Sequence, residues 1–306
     1  MTLPFSTVRD LLRFAVSRFN QAELSFGHGS ANAYDEAAYL VLHTLHLPLD
    51  LLEPFLDARL SAAEIDAVLN VIERRATQRV PAAYITQEAW MHGFRFHVDE
   101  RVIVPRSFIG ELLDSHFSGE REGDDDAGSL IDDPLGIESV LDLCTGSGCL
   151  AVLAARAFPQ AQIDAVDISK DALDVAARNV AEYGLQDRIT LHRGDLFSPL
   201  GDRRYDLIIT NPPYVDAEGM AELPRECRAE PKLAFDGGID GLDFVRRILK
   251  EAGRHLTPRG GLLCEIGRGR ERLEAAFPQL PLLRLDTDDS SGEVFWIAAA
   301  DLQGGL

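Results

Sequence analysis

From Ser139 onward the chain reads as an α/β fold, a mostly parallel sheet with helices on both faces, preceded by a small helical region and a β-hairpin. Three observations predict this. Short apolar runs alternate with helical stretches after Ser139. A glycine-bearing turn, Gly146-Ser147-Gly148, joins the first run to a helix. Before Pro81, by contrast, apolar residues recur at helical spacing.

Taken in order, Val8, Leu11, Leu12, Ala15, Val16 and Phe19 form one helical face behind the cap candidates Ser6 and Thr7. A second helix is expected across Tyr34 to Leu45. A third follows the capping box Ser61-x-x-Glu64 and carries Ile65, Val68, Leu69 and Ile72 on one side. None of this carries chemistry; a small helical bundle accounts for it. Alternation at Phe94, Phe96 and Val98, a turn at Asp99-Glu100 and a return over Arg101 to Val104 predict a hairpin. Gly119 to Pro134 is acidic and glycine-bearing, as expected of a mobile surface loop. The strands then read SVLDLC, AQIDAVDI, RITLHRGDL, YDLIIT and GGLLCEIG, with EVFWIAAA as an added edge strand.

Composition bounds the function. A chain of 306 residues with 46% apolar content can bury a substantial core and divides most simply into two domains. Thirty basic against fifty acidic residues give a net charge of −20, which argues against a general nucleic-acid binder and suits a basic partner or a small ligand. The four cysteines form no C-x-x-C pair, so neither a metal site nor a disulfide framework is expected. His43 and His46 read as ordinary helix histidines. With no apolar run of membrane-spanning length and no basic leader before an apolar core, a cytoplasmic protein that does not enter a membrane is expected.

The chemistry lies at the strand ends. Gly146-Ser147-Gly148-Cys149-Leu150-Ala151 fits G-x-G-x-x-A, a weak signal alone, in which glycine admits a ligand close to the backbone and the helix N-terminus offers polarised N–H groups. Asp142 just before this loop, and Asp195 in Gly194-Asp195-Leu196, would repel a pyrophosphate but suit a cation. Asp167, about twenty residues beyond the glycines, stands where dinucleotide sites bind ribose hydroxyls. Each acid alone would pass for a turn aspartate; at successive strand ends they share one crevice. A ligand with ribose, adenine and a positive centre fits best, and S-adenosylmethionine is that ligand.

The fourth strand ends in Thr210-Asn211-Pro212-Pro213-Tyr214-Val215, where two prolines stiffen the turn on the same carboxyl edge. A planar nitrogen of an amide or amino-heterocycle is a poor nucleophile because its lone pair is delocalised. To accept a methyl group it must be held in line with the sulfonium, its N–H groups on fixed acceptors. Asn211 and the Pro212 carbonyl supply acceptors, and Tyr214 supplies a stacking face. No general base is demanded.

These motifs resemble the amino-methyltransferases that carry asparagine–proline–proline–aromatic. Beyond NPPY, the helical N-terminal region, PAAYI at Pro81 to Ile85, VPRS at Val104 to Ser107 and EPKLAFDGGIDGLDF at Glu230 to Phe244 resemble the protein glutamine N5-methyltransferases across nearly the whole chain. Enzymes of that family acting on release factors usually continue proline-arginine with proline and acidic residues. Here Arg106 is followed by Ser107-Phe108-Ile109-Gly110, similar to the branch acting on a large-subunit ribosomal protein, the third in the usual numbering.

The resemblance implies a class I S-adenosylmethionine-dependent methyltransferase with a Rossmann-like, mostly parallel seven-stranded sheet. It divides the chain into a substrate-recognition domain over 1–83, a β-hairpin linker over 84–106 and a catalytic domain over 107–306. Thr145, Gly146, Ser147 and Gly148 would line the methionine end of the cofactor, Asp167 would bind its ribose, and Asp195 and Leu196 would flank the adenine, with Asp142 and Ile168 also counted among the cofactor-binding residues. Asn211, Pro212, Pro213 and Tyr214 would hold the target amide, with Asn211 also touching the cofactor. No metal is implied. The implied partner is a basic large-subunit ribosomal protein, without a direct need for nucleic acid; release factors or a nucleic-acid amino group are the alternatives, and oligomeric state stays open.

Overall fold

The computed structural model describes residues 5–27, 29–117, 130–131, 136–288 and 290–305. Most of the acidic stretch Gly119 to Pro134 therefore lies outside the described residues. Four helices come first: α1 (Val8–Gln21), α2 (Ala33–Thr44), α3 (Ala62–Ala76) and the short α4 (Ala82–Thr86). Thr7 and Asp10 close a capping box on α1, as Ser61 and Glu64 do on α3, satisfying N–H groups that a helix start leaves orphaned. Their apolar stripes meet in one core containing Leu11, Phe19, Leu40, Val41, Val68 and Ile72.

The hairpin is β1 (Glu88–Met91) against β2 (Phe94–His97), with its turn at His92-Gly93 rather than at Asp99-Glu100. Both turn residues have positive φ, 48° and 78°, the backbone that matches the twist of a two-residue hairpin. Asp99 instead bonds the Arg101 N–H and guanidinium locally. Val98, Val102 and Val104 then pack with Tyr84 and Val175 rather than pairing as strands.

The remaining elements are α5 (Ile109–Phe117), β3 (Ser139–Leu143), α6 (Cys149–Ala157), β4 (Gln162–Asp167), α7 (Lys170–Glu182), β5 (Ile189–Arg193), β6 (Tyr205–Thr210), α8 (Ala217–Glu222), α9 (Asp243–Ala252), β7 (Leu256–Glu265), α10 (Arg270–Ala276), β8 (Leu283–Asp286), β9 (Ser291–Ala298) and α11 (Ala299–Gly305). They build a seven-stranded sheet of order β5-β4-β3-β6-β7-β9-β8, in which β9 runs antiparallel to both of its neighbours. The run EVFWIAAA is thus interior; β8, whose four residues are too few to show a period, takes the edge. Apolar side chains cover both faces, one core around Ile109, Val152 and Ile209, the other around Val245, Ile248 and Leu262. Strand order reverses between β3 and β6, which opens a crevice at their carboxyl ends. Among the described residues no helix is long and apolar enough to cross a membrane.

Candidate active site at the strand carboxyl ends

That crevice holds a cavity of roughly 420 Å³, in the range that encloses a small molecule. One wall is made by the ends of β3, β4 and β5. Gly146 has φ +56° and faces open space, since a Cβ built on it meets nothing within 4 Å. Gly148, φ +80°, leads into α6 and lies so close to Ala176 that a Cβ would sit 3.1 Å from that side chain. Asp167 spans the loop: Oδ2 accepts the Gly146 N–H at 2.9 Å and Oδ1 the Ser169 N–H at 2.8 Å. Burial pushes its pKa up against those bonds. Each of its oxygens keeps a lone pair for a ligand. Cys144 and Leu196, both lining the cavity, sit at φ 60° and 49°. Left-handed backbone costs a non-glycine residue about 1–2 kcal/mol, so this wall carries strain at two positions.

The other wall begins with Asn211. Its Nδ2 donates to the Arg106 carbonyl at 3.1 Å, which leaves Oδ1 as the acceptor of that amide. The backbone of the next turn is packed without room for a side chain: a Cβ on Gly241 would lie 2.4 Å from the Tyr214 carbonyl oxygen. The Tyr214 hydroxyl donates to Glu265 Oε1 at 3.1 Å, and burial, with that carboxylate beside it, raises the phenol's pKa. Arg106 is held by the buried Glu230 at 3.1 Å and lies over the Phe235 ring. Phe26 and Gly27, from the helical region, close the same cavity together with Phe235 and Phe244.

Of the residues singled out from sequence, Gly146, Asp167, Ile168, Asp195, Leu196 and Asn211 to Tyr214 all line this cavity. Asp195 also pairs with Arg247 at 2.7 Å. Thr145, Ser147 and Gly148 sit behind the surface of the loop. Asp142 is fully buried beneath it, bonded to the Thr145 hydroxyl at 2.5 Å, with Oδ1 unpartnered. Burial pushes its carboxyl up to about 7, which favours the neutral form, so the negative charge expected at the cavity is replaced by a partly uncharged group one layer below it. Sequence reasoning missed Asn179, whose side chain ties the Ser147 carbonyl to both backbone groups of His97. An asparagine on the apolar face of α7 was its signal. It also missed Glu230 and Glu265, the latter a carboxylate inside an apolar strand. Among the described residues no group of three or more His, Cys, Asp or Glu could hold a metal.

A glycine loop, a strand-end aspartate and an NPPY turn around the switch point of this sheet define a class I methyltransferase, the class that uses S-adenosylmethionine. The family model for the methyltransferase small domain matches residues 127–224, which span all three features. The chain is 68% identical over 296 residues to the ribosomal protein uL3 glutamine methyltransferase of Bradyrhizobium diazoefficiens, covering 97% of this chain and 92% of that one. Its counterpart of the same name in Burkholderia pseudomallei is 62% identical, over 98% of this chain and 96% of the relative. That of Bordetella pertussis is 57% identical, over 97% and 96%. The chain belongs to the family of ribosomal protein uL3 glutamine methyltransferases.

Proposed function

We propose that this protein transfers a methyl group from S-adenosylmethionine to the side-chain amide nitrogen, N5, of a glutamine in ribosomal protein uL3. The observation that carries the reading is the fixed orientation of Asn211. With Nδ2 committed to Arg106, its oxygen is the atom able to accept from an incoming primary amide. When bound, S-adenosylmethionine supplies an electrophilic methyl group on a sulfonium sulfur. The residues fit it: the side-chain-sized space at Gly146 admits the methionine end beside Thr145, Ser147 and Gly148. Asp167 has free lone pairs for ribose hydroxyls, and Ile168, Asp195 and Leu196 can bracket an adenine. Asp142 supports the loop through Thr145 from below.

The chain's own part in the reaction is positional. Asn211 Oδ1 and the Pro212 carbonyl take the two N–H groups of the glutamine amide, and the Tyr214 ring lies flat against its plane. An amide so held presents its nitrogen to the methyl group in one direction only, and effective molarity replaces nucleophilicity. As the nitrogen forms the new N–C bond, the S–CH3 bond of the sulfonium would break to leave a neutral thioether, and the nitrogen then gives up one of its protons to water. Residues 1–83 contribute Phe26 and Gly27 to the cavity, which supports a substrate-recognition role for the helical region. The net charge of −20 favours encounter with a basic protein.

The test is a side-by-side incubation with labelled S-adenosylmethionine, purified uL3, a purified release factor and ribosomal RNA. Label on a glutamine of uL3, found by peptide mapping, is expected. Faster labelling of the release factor or of RNA would replace the proposed substrate.

A further inference from the structure

Glu265 ends β7 at 1% exposure and makes no part of the cavity lining. Three donors nevertheless converge on it. Oε1 accepts the Tyr214 hydroxyl at 3.1 Å, while Oε2 accepts the Ser107 hydroxyl at 2.7 Å and the Phe108 N–H at 3.1 Å. Among the described residues no cation pairs with it, and Glu293 adds like charge nearby. Burial pushes its pKa up to about 7. A lone buried carboxylate is expensive for a fold to keep, and an apolar side chain would pack this strand end at lower cost. What it does hold is informative. The peptide just before Ser107 is the Arg106 carbonyl that orients Asn211. The ring on its other side is Tyr214, pressed from beneath by Gly267, where a Cβ would stand 2.6 Å from the ring.

We propose that Glu265 is a positioning residue for methyl transfer: by clamping Tyr214 and the 106–108 peptide to one carboxylate, it sets the ring and the Asn211 amide in register with the target nitrogen. This rests on the reading that NPPY holds a glutamine amide. Glu265 touches neither substrate nor cofactor. Glutamine at this position keeps the shape but replaces one acceptor oxygen by a donor, so at least one of the three bonds must be lost or reversed, and the carboxylate's charge is removed.

The experiment is steady-state and single-turnover kinetics of Glu265→Gln with purified uL3, with cofactor affinity by calorimetry and melting on the same samples. We expect kcat to fall by about 10- to 100-fold, the scale of losing preorganisation around a reacting group. The KM for uL3 and the cofactor affinity should stay within about twofold, because uniform binding is untouched. The double variant Glu265→Gln/Tyr214→Phe should be no slower than Glu265→Gln alone, since both break the same clamp. A merely structural carboxylate would lower the melting temperature and the active fraction yet leave the rate per cofactor-binding site intact; that result, or a normal kcat, overturns the proposal. If Glu265→Gln does not fold, Ser107→Ala and Tyr214→Phe decide, each expected to cost kcat about 3- to 10-fold on the scale of one hydrogen bond. Full activity in both would overturn it equally. Wild-type protein inactive on uL3 would instead defeat the substrate reading.

Discussion

Along one wall of the cavity, Gly146, Asp167 and Leu196 follow three successive strands, and Asp167 reaches the glycine loop over 21 residues of chain. Along the facing wall, Asn211 and Tyr214 share one short turn but are held from elsewhere, Asn211 by a carbonyl 105 residues away and Tyr214 by a carboxylate 51 residues away that also binds Ser107 over a gap of 158. The first wall is a local product of strand–loop–helix units, and on the proposed reading it positions a ligand by shape. The second exists only when segments from three parts of the chain meet, and on that reading it positions a reacting group by hydrogen-bond direction. Damage should therefore register as affinity on one side and as rate on the other.

The largest expected effect breaks the first wall. Gly146→Val puts a β-branched side chain into the open space at a left-handed position, so S-adenosylmethionine binding should fall below detection in calorimetry while the melting transition persists. Retained affinity would move the ligand away from this loop. Next, Asn211→Ala should lower the single-turnover rate by about 100-fold or more with cofactor affinity nearly intact, the scale of losing one preorganised polar contact. An alanine variant that folds and works at normal speed would erase the distinction between the walls. A smaller change is expected for Asp167→Ala, which would lose the proposed ribose contacts and frees the Gly146 and Ser169 N–H groups. Cofactor binding should weaken by roughly 1–3 kcal/mol, with a lesser drop in the saturated rate. A variant that bound normally but did not turn over would assign Asp167 to the other wall.

The remaining effect is on stability rather than on binding or rate. Asp142 and Glu265 are both pushed up to about 7 by burial, above the ordinary carboxyl values of 3.8 and 4.5. The folded state therefore holds protons that the unfolded chain has released, and stability should fall as pH rises from about 5 to 7, by at most about 1.4 kcal/mol per pH unit for each group. Asp99 and Asp240, held down at about 2 by Arg101 and Arg246, act in the opposite sense but only at lower pH. Urea titrations across that window check the sign, and Glu265→Gln should flatten the slope. A stability that climbs from pH 5 to 7 would mean that these carboxyls are not buried in solution.

Much of this was legible before any coordinates. Helical periodicity marked α1 to α3, and apolar runs marked six strands of the sheet, because burial on one face or on both is written into the order of apolar residues. The glycine loop and NPPY were legible for a different reason: a ligand approaching the backbone, or a stiff turn, demands particular residues at adjacent positions. The hairpin was misplaced because alternation around Phe96 continues past the strand, while the decisive signal was the His92-Gly93 backbone. Only the tertiary structure showed that Asp142 lies beneath the cavity, that Asn211 is turned by Arg106, and that Glu265 gathers Tyr214, Ser107 and Phe108. A carboxylate in an apolar strand looks the same in sequence whatever it binds, since its partners are set by how distant segments pack. Local pattern thus determined the fold, the class of ligand that fold uses and the turn proposed to carry the chemistry. The orientation of each reacting group was decided by hydrogen bonds between residues that only packing brings within 3 Å or so of one another.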